Sequence, residues 1–120
     1  MKLEGSCHCG AVTFEVTRPP EWRNECNCSV CRRLGTLWGY FDESEVRFTG
    51  DPDATEAYVW GDRMLAFHRC KTCGCTTHWI GLEPKPKTRM AVNTRLMEPG
   101  DMAGIRLRHF DGADTFEYLD

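Results

Sequence analysis

The sequence predicts a small, mainly β domain: an antiparallel sheet stapled at its thiols. Two observations point there, namely stretches in which apolar and polar residues alternate, and eight cysteines gathered into three short groups. A third is negative, since no stretch carries helical periodicity long enough to define a βαβ unit, and there is no internal repeat.

Taken in order, Ala11 to Thr17 sets Val12, Phe14 and Val16 on one face and Ala11, Thr13, Glu15 and Thr17 on the other, as a half-buried strand does. Pro19-Pro20 ends it. Trp22 to Glu25 reads as a short extended approach to Cys26, and Ser29 to Leu34 as a tight turn or single helical turn closing at Gly35. Thr36 to Phe41 carries Leu37, Trp38, Tyr40 and Phe41 and reads as a core strand despite Gly39. Glu45 to Thr49 is a short strand with Val46 and Phe48 inward, followed by the turn residues Gly50-Asp51-Pro52-Asp53. Thr55 to Trp60 and Arg63 to His68 flank Gly61-Asp62, a two-residue hairpin loop that delivers the chain to Cys70. Thr76 to Ile80 is the next strand, and Glu83 to Lys87 a solvated loop. Thr88 to Asn93 and Ile105 to Phe110 are the last strands, separated by Glu98-Pro99-Gly100-Asp101 and one helical turn.

At 120 residues and 13.8 kDa the chain is expected to form one domain over 1–120, burying roughly two-thirds of its unfolded surface. The net charge of −3 and pI near 5.8 provide no basic field for a phosphate backbone, which argues against nucleic acid as a partner. No apolar run approaches the roughly 20 residues of a membrane span. The first residues hold no apolar signal core, so a cytoplasmic protein is expected. In that reducing compartment the cysteine spacings indicate metal ligation rather than four disulfides.

Cys7-His8-Cys9 and Cys70-Lys71-Thr72-Cys73 together supply four thiols, enough for a closed tetrahedral zinc site of structural character. The middle group, Cys26, Cys28 and Cys31, supplies three. Three protein ligands leave a position for water or substrate, as in catalytic zinc, unless Cys75 or a histidine closes the shell. Arg32 and Arg33 are either surface charges or cations that stabilise an electron-rich thiolate centre. His8, His68, His78 and His109 read as packing or surface residues, and Trp22, Trp38, Trp60 and Trp79 as mostly core, with one or two at a pocket.

Gly5-Ser6-Cys7-His8-Cys9-Gly10-Ala11-Val12, Cys26-Asn27-Cys28-Ser29-Val30-Cys31-Arg32 and Cys70-Lys71-Thr72-Cys73-Gly74 resemble the three signature blocks of the glutathione-dependent formaldehyde-activating enzyme (GFA) family, which includes centromere protein V. Met90-Ala91-Val92-Asn93 resembles its C-terminal part. The resemblance implies a β-tent fold and two zinc ions per chain. One would be structural, on Cys7, Cys9, Cys70 and Cys73; the other catalytic, on Cys26, Cys28 and Cys31. It further implies carbon–sulfur lyase activity on a small thiol adduct, such as formation of S-hydroxymethylglutathione from glutathione and formaldehyde. Arg32 and Arg33 are then candidate contacts for the glutathione carboxylates. Cys75 lies outside the seven-ligand pattern. The competing expectation is a non-catalytic zinc-stapled binding module; a nucleic-acid-binding zinc ribbon would have to rely on Lys85, Lys87, Arg89 and Arg95 against an acidic balance.

Overall fold

Strand alternation orders the chain into two sheets. The computed structural model describes residues 2–82 and 89–120; the loop expected over Glu83 to Lys87, together with Thr88, lies outside them. The strands are β1 (Leu3–Ser6), β2 (Thr13–Val16), β3 (Arg23–Cys26), β4 (Trp38–Asp42), β5 (Val46–Phe48), β6 (Thr55–Tyr58), β7 (Leu65–Cys70), β8 (Thr76–Gly81), β9 (Arg89–Asn93) and β10 (Leu107–Phe110). Helix α1 spans Ser29–Leu34 and α2 Pro99–Met102. One sheet has the order β1-β2-β5 and the other β10-β3-β4-β9-β8-β7-β6. The fold is mainly β, and among the described residues its strand pairings are antiparallel with one exception, β10 against β3, where Leu107 lies opposite Arg23 and both strands run the same way.

The two faces of the larger sheet do different things, because successive side chains on a strand point to opposite sides. On one face Phe41 of β4 and Met90 and Val92 of β9 pack against Leu3, Phe14 and Val16 of the smaller sheet, with Met97 and Met102 closing the cluster. Phe14, Val16 and Val92 are at most 1% exposed, and burying a side chain of this size stabilises the fold by roughly 1.5–3 kcal/mol. On the opposite face Trp38 of β4, Phe67 of β7 and Ala91 of β9 cluster with Cys31. That face holds the middle thiols.

Several expectations are revised. Leu3–Ser6 is a strand, with Gly5 directly opposite Phe14. A Cβ at Gly5 would run into Phe14 Cζ, so only glycine lets the ring lie across β1. The hairpin turn falls at Trp60 to Arg63, closed by the Arg63 N–H to Trp60 carbonyl bond of 3.0 Å. The ladder, however, starts with Tyr58 opposite Phe67. Arg63 takes a left-handed φ of 60° and Met64 donates back to Asp62, so the loop is wider than two residues. Phe48 is 40% exposed, its ring capping the border of the core against Phe14 and His78. Only Trp38 among the tryptophans is fully buried.

Candidate metal centres and the adjoining pocket

The first thiol group is built from two tight turns. Cys7 pairs through its backbone with Val12, whose N–H also reaches Cys7 Sγ at 3.3 Å. Cys70 and Cys75 pair likewise, with Gly74 N–H on the Cys70 carbonyl and Cys73 N–H 3.5 Å from Cys70 Sγ. Gly10 and Gly74 occupy left-handed φ values of 84° and 80°, which lets each turn fold back on its sulfur. The four sulfurs of Cys7, Cys9, Cys70 and Cys73 lie within 4.8 Å of one another. A tetrahedral zinc with Zn–S of about 2.3 Å holds its sulfurs about 3.8 Å apart. Here Cys7 to Cys9 is 3.7 Å and Cys9 to Cys70 is 3.6 Å, so the set fits the ion. The amides of Cys75 and Cys9 hold the Cys73 thiol down at about 5, favouring the thiolate that a metal takes. Cys75 packs half-buried against this group rather than the other.

Cys26 ends β3, Cys28 caps the N-terminus of α1, and Cys31 lies in its first turn; Gly35, at a φ of 70°, stops the helix. The three sulfurs lie within 4.8 Å of one another, and among the described residues no histidine, carboxylate or further cysteine joins them. The donor set fits three positions of a tetrahedral zinc. Cys31 N–H donates to Cys28 Sγ at 3.4 Å, and the Trp38 indole N–H donates to Cys31 Sγ at 3.3 Å. The hydrogen bond with Cys31 and the amide of Cys28 hold the Cys26 thiol down at about 6, against the cost of its burial. Sharing with Cys26 and burial push Cys31 up.

The C-terminal segment straps this group down. Asn27 donates its backbone N–H to Phe110 and its side-chain Nδ2 to Asp111 Oδ1, and accepts from Ala113 N–H at Oδ1. At Gly112 a Cβ would meet Cys26 Sγ at 2.7 Å, which makes glycine a condition of the close approach.

A cavity of about 450 Å³ opens beside Cys26, Cys28 and Cys31, within the range of small-molecule sites. Asn24 and Cys26, two apart on β3, and Trp38 and Tyr40, two apart on β4, form its floor. Phe67 and Trp79 supply one wall; Trp60, Met64 and Phe116 the rim. Asn24, 1% exposed, donates from Nδ2 to Tyr40 Oη at 2.6 Å, while its Oδ1 has no hydrogen-bond partner among the described residues. Burial raises the Tyr40 pKa, so the phenol keeps its proton at neutral pH.

Residues 2–106 match the profile of the family described as glutathione-dependent formaldehyde-activating enzyme. The chain belongs to the GFA family. Over 78 residues, 64% of this chain, it is 48% identical to a Halomonas elongata protein carrying the same enzyme name. The match covers 46% of that relative, so the chain spans about half the length of the curated relative it matches. A crystal structure of a Rhodobacter sphaeroides protein superposes with a TM-score of 0.70 at 28% identity, covering 88% of this chain and 99% of that one.

In this GFA chain the seven predicted ligands fall into the expected groups of four and three. Arg32 and Arg33 stay on the exposed side of α1, where Arg33 donates to the Ser29 carbonyl, and neither lines the cavity. Of the four predicted basic residues, Lys85 and Lys87 lie outside the described residues. Sequence reasoning missed Asn24, Tyr40 and Gly112. The alternation that pairs Asn24 with Cys26 and Tyr40 with Trp38 on one face was the available signal.

Proposed function

We propose that the chain is a zinc-dependent carbon–sulfur lyase acting on a small thiol adduct, of which S-hydroxymethylglutathione is the example that the family name offers. One zinc on Cys7, Cys9, Cys70 and Cys73 is structural; the second, on Cys26, Cys28 and Cys31, is catalytic. The observation that carries the reading is a three-sulfur group facing a cavity, with no fourth protein donor beside it among the described residues. Zinc bound there supplies Lewis acidity that keeps a substrate thiol ionised at neutral pH.

The chain's own groups do the rest. The Trp38 N–H accommodates negative charge on Cys31, and the aromatic walls exclude water from the sulfur. Tyr40 accepts from Asn24, which leaves its own O–H to donate to an oxygen on the reacting carbon. In adduct formation the substrate sulfur bonds to the carbonyl carbon, the carbonyl π pair moves to oxygen, and that oxygen takes a proton from water while the thiol proton leaves to solvent. Cleavage is the reverse. Proximity and charge stabilisation supply the acceleration. Retention of reactive thiolates suits a reducing compartment such as the cytoplasm.

The test is a cobalt-substituted protein titrated with thiols, read by cobalt–thiolate absorption, alongside exchange kinetics of thiol–aldehyde adducts. Entry of an exogenous sulfur with accelerated exchange, abolished in Cys28→Ser, is expected. No spectral change with any small thiol and no acceleration would leave a non-catalytic zinc-stapled module.

A further inference from the structure

Resting on the lyase reading, the cavity itself says what kind of thiol it accepts. Seven aromatic rings line it, joined by Val30, Met64 and Leu65, and among the described residues no lysine, arginine or histidine lines it. Among the described residues the one charged lining side chain apart from the cysteines is Asp62, an anion. Arg89 lies with its guanidinium 4.2 Å from the Tyr40 ring centroid, and is not a lining residue. Three thiolates on a divalent ion leave one negative charge, so an anionic substrate meets like charge at both the floor and the rim.

Glutathione carries two carboxylates, and none of the lining cations that would offset their desolvation is present among the described residues. A neutral ring, by contrast, meets matched surroundings: aromatic edges and faces gain from each other beyond plain area burial. The polar demand of the cavity is small and specific. Among the described residues Asn24 Oδ1 lacks a donor, and the Tyr40 hydroxyl accepts from Asn24 Nδ2 while its own hydrogen remains to be given. A single hydroxyl on the carbon next to sulfur satisfies both, donating to Asn24 Oδ1 and accepting from Tyr40.

We propose that the preferred substrate is the S-hydroxyalkyl adduct of an uncharged aromatic or bulky apolar thiol, the ring lodging between Trp79, Phe67 and Trp60 and the hydroxyl meeting Asn24 and Tyr40. The reaction is unchanged: the carbon–sulfur bond breaks with its electron pair going to sulfur, the hydroxyl proton leaves to solvent, the thiolate takes a proton from solvent as it departs, and a neutral thiol and an aldehyde are released.

Benzyl mercaptan and glutathione are the probes, each titrated into the cobalt-loaded protein and each supplied as its formaldehyde adduct to the zinc-loaded protein. Binding of benzyl mercaptan at least ten-fold tighter, with a matching advantage in kcat/KM for its adduct, is expected. Two rim variants separate ring from charge. Trp60→Ala, at an exposed rim position, should weaken benzyl mercaptan about five-fold and leave glutathione unchanged. Asp62→Asn, which keeps the Oδ1 acceptor for Met64 N–H, should tighten glutathione two- to three-fold and leave benzyl mercaptan unchanged. Equal or tighter binding of glutathione would overturn this proposal and leave the lyase reading standing. Entry of neither thiol into the cobalt shell would remove both.

Discussion

The indole N–H of Trp38 points at Cys31 Sγ, 3.3 Å away, from a side chain only 1% exposed. A donor fixed on a ligand sulfur orients it and tempers its charge, and outer partners of this kind typically account for 10–100-fold in metal affinity or activity. Trp38→Phe keeps most of the packing and removes the donor. Metal retention at the middle group should fall about 10–100-fold in a chelator competition, with the first group retained.

Tyr40→Phe removes the O–H while preserving the ring. If that hydrogen meets the developing oxygen charge, kcat/KM for adduct exchange should fall about 100–1,000-fold, comparable to losing one such donor. Thiol entry into the cobalt shell should be unchanged. A loss of thiol binding in step with activity would assign Tyr40 to packing instead.

Cys73→Ser and Cys75→Ser should part company although they are two residues apart. The first breaks the four-sulfur group, whose metal-binding free energy is folding free energy, and should leave the chain unfolded or insoluble. The second should keep two metals per chain and full turnover. Elemental analysis and thermal melts read both.

Gly112→Ala drives a methyl into Cys26 Sγ. Overpacking of this kind costs about 1–3 kcal/mol. The strap should lift from Asn27, and the middle metal should be lost while the first is kept, giving a metal content that falls from about two to about one.

His78 is 6% exposed and stacks against His68, their ring centroids 4.5 Å apart. Burial first, and then the neighbouring His68, lowers its pKa from 6.5 to about 3. The unfolded chain therefore binds a proton that the folded one refuses. Stability is fully present above about 6.5 and is lost as pH falls from there toward about 3, with a slope of up to about 1.4 kcal/mol per pH unit. The difference in stability between His78→Gln and the parent, measured across that window, should carry this slope, since metal loss is common to both proteins.

The strand carrying Phe14 and Val16 was legible because its period matches the pleat, and α1 because Gly35 marks a left-handed stop. The two thiol groups were legible because cysteines spaced this closely bring their sulfurs within reach of one ion. β1 was not: Leu3-Glu4-Gly5-Ser6 is short, and Gly5 has meaning only beneath the Phe14 ring, an arrangement no local pattern records. The parallel pairing of β10 with β3 and the hold of Asn27 on Asp111 are likewise made between distant residues whose own neighbourhoods look like ordinary strand and turn. The cavity was hidden for the same reason. Its rings come from five separate segments, each of which reads as core by itself.

Cys9 and Cys70 meet across 61 positions of chain, and that separation also sets a clock. Closing a loop of this length has an entropic cost of roughly 4 kcal/mol or more before any contact rewards it. At synthesis rates of about 5–20 residues per second, Cys7 and Cys9 wait roughly 3 to 12 s after emerging before their partners exist. β1, β2 and β5, which all precede residue 49, can pair with one another in that interval, whereas β8 follows Cys73 and has yet to be made. Maturation should therefore be limited by metal supply at the moment Cys73 appears, and nascent chains caught earlier should be the species most readily oxidised.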